Sequence, residues 1–502
     1  MKELKFDTQK KGGGCLKFIL ILIVVNVVLG FFLTSKQTKI IHIILGCIVC
    51  YLALFLYKKF KGKLFKKVSI SSVSNSKNSN GISINGVTII ENPYAGVFIS
   101  GGAGSGKSKS LVEPIIKQAG IKEYTGVIYD FKFPELAQYV NTAYENSSVK
   151  PFYINFTDLN RSHRINPIAP ELMRNESYAR EFAYTILANL NPQMISKPDF
   201  WSDNSTSLLT AIFWYLKVEQ PNYCTLPHAI SMVLQPDITA LFRTLSRNSK
   251  CADMIAPIMT AYERGAEDQL AGVISSLQVS LSKINSNEIY YVMSGSDFSL
   301  ELNNSDKKGI LVVGNDPTLA STYAPVIGLI LTSVSKQLNR QDKEKSMFLM
   351  DEFPTIYVPN IEQLPATARS NKVATILACQ DISQMVDKYG KDKTDTILSN
   401  LGNQFYGRTP NPQTAKRVSE MFGKEEKQVV SQNVKTSIVD LHNSSTYSTR
   451  ETDRVKTQDV ANLDTGSFFT VLSEGKSRQG LSNIPMDKKF IKTYPPEQPH
   501  IS

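Results

Sequence analysis

The sequence predicts an α/β protein with a central, mostly parallel sheet, an inserted all-α subdomain and two N-terminal transmembrane helices. Three observations lead to this prediction. A complete G-x-x-x-x-G-K-[ST] motif lies between an apolar strand and a helix-compatible stretch. Apolar strands alternate with helical stretches beyond it, which is typical of a parallel sheet with helices on both faces. Two apolar stretches with flanking lysines come first in the chain.

The composition is that of a globular protein with a net positive charge. The chain has 502 residues, 42% hydrophobic and 20% charged, which is enough for two or three domains. Its net charge of +11 favours anionic partners such as nucleic acid or anionic lipid. Lysines around the apolar stretches account for part of this excess, so the charge by itself says little about DNA. The cysteines and histidines are scattered, which disfavours a zinc site.

Two apolar stretches, Phe18–Leu33 and Ile40–Tyr57, are each close to the length that a helix needs to cross a bilayer. Lysines are dense before the first and after the second, and this asymmetry places both ends in the cytoplasm. A cleaved signal peptide and a buried helical hairpin are the alternatives. The second apolar stretch disfavours the former, and the lysine clusters disfavour the latter. We predict a multi-pass anchor over residues 1–67 and a Ser/Asn-rich linker over 68–81.

The stretch "VFISGGAGSGKS" predicts a phosphate-binding loop for ATP. Its glycines let backbone N–H groups turn towards phosphates, and the following helix adds positive potential. We expect Lys107 to reach the β- and γ-phosphates and the Ser108 hydroxyl to ligate Mg²⁺. A chance glycine-rich turn is the alternative, which the flanking strand and helix disfavour. Pro114 falls inside the expected helix, where it should bend the chain. The predicted nucleotide-binding residues are Gly101, Gly102, Ala103, Gly104, Ser105, Gly106, Lys107, Ser108 and Lys109.

An acidic pair follows another apolar strand within Lys345–Pro354. Asp351 would hold Mg²⁺ through water, and Glu352 would orient and activate the attacking water. Such a pair is common and could lie on a solvated turn. Behind a complete phosphate-binding loop, however, it indicates ATP hydrolysis.

Two further polar residues surround the strand Val373–Gln380. Gln380 ends the strand, where it could sense the γ-phosphate or simply cap the next helix. Arg369 precedes the strand and could be an arginine finger that enters a neighbouring subunit's site. From the residues alone, an ordinary surface arginine is nearly as good an interpretation.

The remaining pattern predicts the domain organisation. Between about residues 177 and 303 the strand signal disappears and helical spacing takes over, with Thr225 and Asp237 as candidate N-caps. We predict an ATPase domain over 82–221 and 297–480, an inserted all-α domain over 222–296, and a C-terminal tail over 481–502. Residues 432–457 are expected to be loosely ordered. Further strands of the sheet are predicted at Gly126–Lys132, Phe152–Phe156, Gly309–Gly314 and Asn403–Gly407.

These motifs together resemble those of the coupling-protein family of type IV secretion systems, whose members are membrane-anchored ATPases that feed DNA into conjugation machinery. The resemblance extends from the anchors to about residue 480, with the same order and spacing. The stretches that carry it are "GGAGSGKS", "YDFKFPELAQYV", "RINPI", "DEFPTI", "ARSNKVATILACQDISQMVDKYG", "TPNPQTAKRVSEMFG" and "KTQDVANLDTGSFFTVLSEG".

The resemblance implies a RecA-like P-loop ATPase domain and a role for each site residue. Lys107 and Ser108 would bind ATP and Mg²⁺, and Asp351 and Glu352 would drive hydrolysis. Gln380 would couple hydrolysis to movement, and Arg369 would act in trans within a homo-hexamer. The implied partners are single-stranded DNA, relaxase and relaxosome proteins, secretion-channel components and the membrane. The implied location is the bacterial inner membrane.

Other functions stay open at this point. The chain could be a coupling ATPase that exports protein effectors only, and the sequence cannot separate this from DNA transfer. A chromosome-segregation translocase usually has more membrane spans and a terminal winged-helix reader, which is not evident here. A docking scaffold with a vestigial phosphate-binding loop is disfavoured by the intact Lys107, Ser108, Asp351 and Glu352.

Overall fold

The computed structural model describes residues 80–84, 87–436, 441–475, 478–486 and 492–498. They belong to one compact unit, Ile70–Ser502. The two stretches predicted to cross the membrane lie outside the described residues. Within the described part, no helix combines the length and the apolar character needed to span a bilayer.

Nine of the described strands form one large sheet, in the order β13-β12-β9-β3-β8-β7-β4-β6-β5. All neighbours from β9 to β5 run parallel, while β12 and β13 add an antiparallel pair at one edge. The prediction of a central, mostly parallel sheet is therefore confirmed. The nine strands are β3 (Val97–Ser100), β4 (Thr125–Asp130), β5 (Lys150–Ile154), β6 (Gly309–Gly314), β7 (Ser346–Met350), β8 (Val373–Cys379), β9 (Asn403–Tyr406), β12 (Ser467–Val471) and β13 (Gln479–Asn483).

Two antiparallel hairpins lie apart from the large sheet. One pairs β1 (Ile82–Ile84) with β2 (Val87–Ile90), and the other pairs β10 (Lys424–Thr436) with β11 (Leu441–Asp453). Residues 432–457 are expected from the sequence to be loosely ordered, and the second hairpin corrects this for residues 432–436 and 441–453. Its strands are rich in Lys, Glu, Ser, Thr and Asn, so their pairing depends on backbone hydrogen bonds and leaves little hydrophobic alternation in the sequence.

The described helices alternate with the strands of the sheet except in one long helical run. Asp237 caps α7 as predicted, by accepting a hydrogen bond from the Ala240 N–H at 2.9 Å. Thr225 precedes α6, but its hydroxyl pairs with His228 Nδ1 at 2.7 Å instead. The helices are α1 (Glu113–Ile121), α2 (Ala137–Ala143), α3 (Glu176–Leu190), α4 (Gln193–Ser196), α5 (Phe200–Glu219), α6 (Leu226–Leu234), α7 (Ile238–Leu245), α8 (Ser249–Glu263), α9 (Glu267–Ser282), α10 (Asn287–Met293), α11 (Ala320–Leu338), α12 (Leu364–Ala368), α13 (Ile382–Tyr389), α14 (Lys391–Asn400), α15 (Pro412–Phe422) and α16 (Thr457–Ala461).

Both faces of the large sheet are covered by helices. Along β4, Val127 and Tyr129 point into one hydrophobic core, and Ile128 points into the other. Residues of α3 and α11 build the first core, while α1 and α2 build the second. Strands buried on both faces read as continuous apolar runs, which is why the sequence revealed them.

The helical run α3–α10 leaves the sheet after β5 and returns to it at β6. An ion pair joins the segment that enters this run to the segment that leaves it, with Arg164 Nη2 2.9 Å from Asp297 Oδ1. Within the run, α5 packs against α3, α8 and α9. The helices begin at Glu176, well before the predicted start of an all-α domain at residue 222, so the boundaries of that domain stay a prediction.

Candidate functional site

The phosphate-binding loop connects the end of β3 to the helix that starts at Ser108. Gly104 and Gly106 have φ angles of 73° and 91°, which lie in the left-handed region that favours glycine. Gly101 is needed for space, because a Cβ there would lie 2.5 Å from Ser105 Oγ. The glycines of the motif therefore serve the close turn that the sequence predicts.

Two neighbouring segments hold the loop in place through backbone hydrogen bonds. The Gly102 N–H donates to the Arg408 carbonyl, which follows β9, at 2.8 Å. On the other side, the Gly466 N–H donates to the Ser105 carbonyl, also at 2.8 Å. The Thr465 hydroxyl donates to the Gly104 carbonyl at 2.8 Å. The loop is thus fixed in shape before any ligand arrives.

Pro114 is accommodated by a change in helical hydrogen bonding. Residues Ser108–Val112 form a π-helical turn, in which the Glu113 N–H donates to the Ser108 carbonyl five residues earlier. The α-helical bonding starts only at Glu113, so Pro114 lies in the first turn of α1. Proline is tolerated there, because the first turn needs no N–H donor. The helix accommodates Pro114 through this wider turn, a feature often found at functional sites.

Lys107 bridges the loop to the end of β7. Its Nζ lies 2.6 Å from Glu352 Oε1 and donates a hydrogen bond to the Asp351 carbonyl at 3.2 Å. The nearest carboxylate oxygen of Asp351 is 4.0 Å away. All three residues are only 7% exposed. The structure therefore brings together the lysine and both acids that the sequence singled out.

Asp351 has the properties of a site for a cation. Its Oδ1 is buried and accepts no hydrogen bond from any residue that the structure describes. Burial raises the pKa of Asp351 to about 6, and Lys107 partly offsets this effect. A carboxylate oxygen together with the Ser108 hydroxyl would be a donor set that suits Mg²⁺, which prefers hard oxygen ligands. No cluster of three or more His, Cys, Asp or Glu suited to a metal occurs among the described residues. Any ion here would therefore need oxygens from a ligand or water.

A cavity of about 420 Å³ opens above the loop. Gln380 is exposed at the end of β8 and lines this cavity, as do Lys109 and Ala103. The side chain of Ser105 is buried beneath the loop, so this residue can reach a ligand only through its backbone. The predicted residues of the loop and Gln380 thus share one cavity.

The sequence analysis missed several residues of the cavity, among them two with charged side chains. Lys132 and Glu135 line it from the turn after β4, opposite the phosphate-binding loop. Their charges also act on Asp351, whose pKa is raised by Glu135 and lowered by Lys132. The signal that could have found them is the one used for β7 and β8, namely polar residues directly after a buried strand.

Another missed residue, Asp130, ends β4 beside the acidic pair. It is fully buried, and its Oδ2 accepts hydrogen bonds from the Leu136 and Ala137 N–H groups at 2.8 and 2.9 Å. These bonds hold the turn that carries Lys132 and Glu135. Burial raises the pKa of Asp130 to about 7; those N–H groups lower it, and the nearby Asp351 raises it.

The backbone of Glu352 is held from the neighbouring strand. The Thr355 hydroxyl donates to the Glu352 carbonyl at 2.6 Å and lies 2.9 Å from the Tyr129 hydroxyl. The Tyr129 hydroxyl also accepts a hydrogen bond from Asn315 Nδ2 at 2.8 Å. Three neighbouring strands, β6, β4 and β7, therefore fix the position of Glu352.

Arg369 lies away from this cavity. It follows α12 and precedes β8, so it lies at the amino edge of the sheet, whereas Gln380 lies at the carboxyl edge. The guanidinium is 58% exposed and lies 3.8 Å from Glu474. The structure does not bring Arg369 to the cavity of its own chain.

The fold and the site define the class of α/β proteins with a phosphate-binding loop and an acidic pair on a parallel strand. A profile of the family described as type IV secretory system conjugative DNA transfer matches residues 61–474. The chain therefore belongs to this family, and the resemblance noted in the sequence is confirmed.

Solved structures of a conjugative coupling protein have the same fold. The unbound bacterial protein TrwBdeltaN70 is 15% identical, with a TM-score of 0.62 over 85% of this chain and 92% of that chain. TrwB in complex with the ATP analogue ADPNP is 14% identical, with a TM-score of 0.64 over 84% and 92%. TrwB in complex with ADP and Mg²⁺ has a TM-score of 0.62 at 14% identity over the same shares. No curated protein matches the chain.

Proposed function

We propose that this protein is a membrane-anchored ATPase that couples ATP hydrolysis to the transfer of single-stranded DNA with a bound relaxase through a type IV secretion channel. The observation that carries the proposal is the contact of Lys107 with Glu352 and Asp351, which unites a complete phosphate-binding loop with an acidic pair in one buried site. Family membership supports the role in DNA transfer.

The roles of the site residues follow from their positions. Lys107 would leave Glu352 and bind the β- and γ-phosphates, while the loop N–H groups hold the remaining phosphate oxygens. Ser108 and Asp351 would hold Mg²⁺, which neutralises charge that develops on the phosphates. Glu352, once released, would accept a proton from the attacking water. TrwB, which has the same fold, has been solved with ADP and Mg²⁺, and this supports the choice of ligands.

Gln380 and Arg369 would link the site to movement and to a second chain. Gln380 lines the cavity at the end of β8, where a γ-phosphate would lie. Arg369 points away from it and is exposed, so we propose that it enters the site of a neighbouring chain in a homo-hexamer.

The membrane location, the domain roles and the cargo also belong to the proposal. The apolar stretches within residues 1–67 would anchor the protein in the bacterial inner membrane with both termini in the cytoplasm. The helical insertion, residues 222–296, would recognise the cargo.

The test is ATP hydrolysis by the full chain in detergent, with and without single-stranded DNA, and with Glu352→Gln as the control. We expect hydrolysis that DNA stimulates and that the variant loses at least ~100-fold, because the base for the attacking water is removed. Hydrolysis indifferent to DNA would favour export of protein effectors only. A confirmed hexamer without hydrolysis would favour a docking scaffold.

A further inference from the structure

Asp381, which directly follows Gln380, has an unusually large set of hydrogen-bond donors. It is the N-cap of α13, and its Oδ1 accepts bonds from the Ser383 N–H at 2.9 Å and the Ser383 hydroxyl at 2.7 Å. Capping the helix requires only bonds of this kind. Three more donors come from the segment after β9, and they are Thr409 Oγ1 at 2.8 Å, Asn411 Nδ2 at 2.8 Å and Thr414 Oγ1 at 3.0 Å.

The carboxylate therefore joins two separate elements, the end of β8 and the segment Gly407–Thr414. Burial would raise the pKa of Asp381, but hydrogen bonds from Ser383, Thr409 and Thr414 hold it below its usual value. The group stays ionised, and charged acceptors make hydrogen bonds roughly twice as strong as neutral ones.

The segment after β9 also supports the phosphate-binding loop. The Gly407 N–H donates to the Ser100 carbonyl at 2.7 Å, and the Arg408 carbonyl accepts from the Gly102 N–H at 2.8 Å. The Arg408 guanidinium lies 3.4 Å from the Ala103 carbonyl. Thr409, held by Asp381, is the next residue in the chain. A continuous path of contacts thus leads from Gln380 through Asp381 to the loop.

We propose that Asp381 is a positioning residue that couples Gln380 to the phosphate-binding loop through Thr409, Asn411 and Thr414. This inference rests on the proposed function. When the γ-phosphate is lost, Gln380 would shift, and Asp381 would pass this movement to the segment Gly407–Thr414 next to the loop. In the other direction, the loop and this segment would hold Gln380 at the distance that hydrolysis requires. The four residues act as one unit, which we call the Asp381 cluster.

Asp381→Ser in the full chain tests the proposal, because serine retains the helix cap and removes the bonds to the segment after β9. We expect kcat per nucleotide-binding site to fall ~10- to 100-fold, since a misplacement near 1 Å has effects of this size. The dissociation constant for the ATP analogue ADPNP should change less than about threefold, because the loop and Lys107 are intact. Counting sites by ADPNP binding excludes unfolded protein from the comparison.

Matched variants separate positioning from folding. Thr414→Val removes one donor without changing the shape, and Thr414→Ser restores the hydroxyl, so the first should lower kcat and the second should recover it. Asp199→Ser removes an aspartate cap at α5, where the carboxylate accepts a hydrogen bond from the Ser202 N–H of its own helix at 2.8 Å, and should leave kcat unchanged.

The outcomes distinguish this inference from the proposed function. Wild-type hydrolysis together with full kcat in Asp381→Ser would refute the coupling role alone. A parallel loss of ADPNP binding and kcat would show that Asp381 only maintains the fold, and would refute it too. Absence of hydrolysis by the wild-type chain would refute the proposed function and, with it, this inference.

Discussion

At the residue scale, the contact between Lys107 and Glu352 is the central feature of the site. The two charged groups lie 2.6 Å apart and are almost fully buried, so each compensates the cost of burying the other. Removing one partner of such a pair leaves an uncompensated charge inside the protein. The stability of the nucleotide-free protein therefore reports this contact directly.

We predict that Lys107→Ala lowers the free energy of unfolding of the nucleotide-free protein by ~3 kcal/mol, because Glu352 is left buried without its cation. Glu352→Gln should cost less, since Lys107 keeps the Asp351 carboxylate, 4.0 Å away, as a counter-charge. Adding Glu352→Gln to Lys107→Ala should recover part of the loss. Urea denaturation of the three variants measures these differences. Equal stability of Lys107→Ala and wild type would contradict the buried contact.

Asp130 should make the stability of the ligand-free protein depend on pH. Its pKa is about 7 in the native state against a usual value of 3.8, so the native state binds more protons between these values. The free energy of unfolding should therefore fall as pH rises from about 4 to about 7, by up to about 4 kcal/mol from this group. Asp130→Asn should flatten the profile, because the amide can accept the same two N–H bonds without titrating.

Chemical denaturation of both proteins at several pH values, without nucleotide or Mg²⁺, measures this effect. Asp351 titrates in both proteins, so only their difference reports Asp130. Parallel profiles for the wild type and Asp130→Asn would show that the carboxyl does not titrate in this range.

Much of the site could be predicted from the sequence because its residues follow buried strands. Lys107, Asp351 and Gln380 lie beyond the carboxyl ends of β3, β7 and β8, and parallel strands bring those ends together. Lys132 follows β4 in the same way, and the same rule would have found it. The bonds of Asp381 could not be predicted, since they depend on how the segment after β9 folds back.

At the element scale, a glycine of the phosphate-binding loop can be compared with a glycine outside it that has a similar φ angle. A Cβ on Gly106 would lie 2.9 Å from the Gly466 nitrogen, in addition to the strain of a φ angle of 91°. Gly390, at the start of α14, has a φ angle of 82° but no neighbour within 4 Å. The two positions share the backbone strain, and only Gly106 adds a clash at the site.

We predict that Gly106→Ala weakens binding of a fluorescent ATP analogue at least tenfold, because the loop must move away from Gly466. Gly390→Ala should lower the free energy of unfolding by ~1 kcal/mol and leave the affinity unchanged. Titration of the analogue and urea denaturation measure the two effects. Equal affinities of the two variants would mean that neither the clash nor the strain at Gly106 disturbs the loop.

The elements themselves were predictable to different degrees. The buried parallel strands were found because apolar, β-branched runs mark them, and β6 has the predicted bounds Gly309–Gly314. The hairpin β10–β11 was missed because polar residues dominate it. The π-helical turn before Pro114 was also missed, since a shift of one residue in hydrogen bonding leaves no trace in composition.

At the scale of the whole molecule, the nucleotide cavity and Arg369 lie at opposite edges of the large sheet. Strand β8 runs from the edge where Arg369 lies to the edge where Gln380 lies, a distance of about 20 Å for seven residues. An arginine so placed does not reach the cavity of its own chain. Under the proposed function, the single chain would provide one site and, at the opposite edge, one residue for the site of a neighbouring chain.

Mixing two inactive variants tests this arrangement. Arg369→Ala and Glu352→Gln should each lose most hydrolysis, but co-assembled chains should recover up to about a quarter of wild-type activity, because an intact site then meets an intact arginine across some interfaces. Activity of the mixture is compared with that of each variant alone at the same total protein concentration. No recovery in a confirmed mixed oligomer would argue against action in trans.

The contact of Lys107 with Glu352 has a consequence for the resting protein. The Glu352 carboxylate pairs with the Lys107 ammonium group as a phosphate group would, so this lysine already has an anionic partner from its own chain. Under the proposed function, ATP would have to displace Glu352 from Lys107, and free phosphate or sulfate, which offer fewer contacts, should displace it poorly. Under the proposed function, the resting protein would thereby keep Glu352 paired with Lys107 and unable to accept a proton until ATP binds.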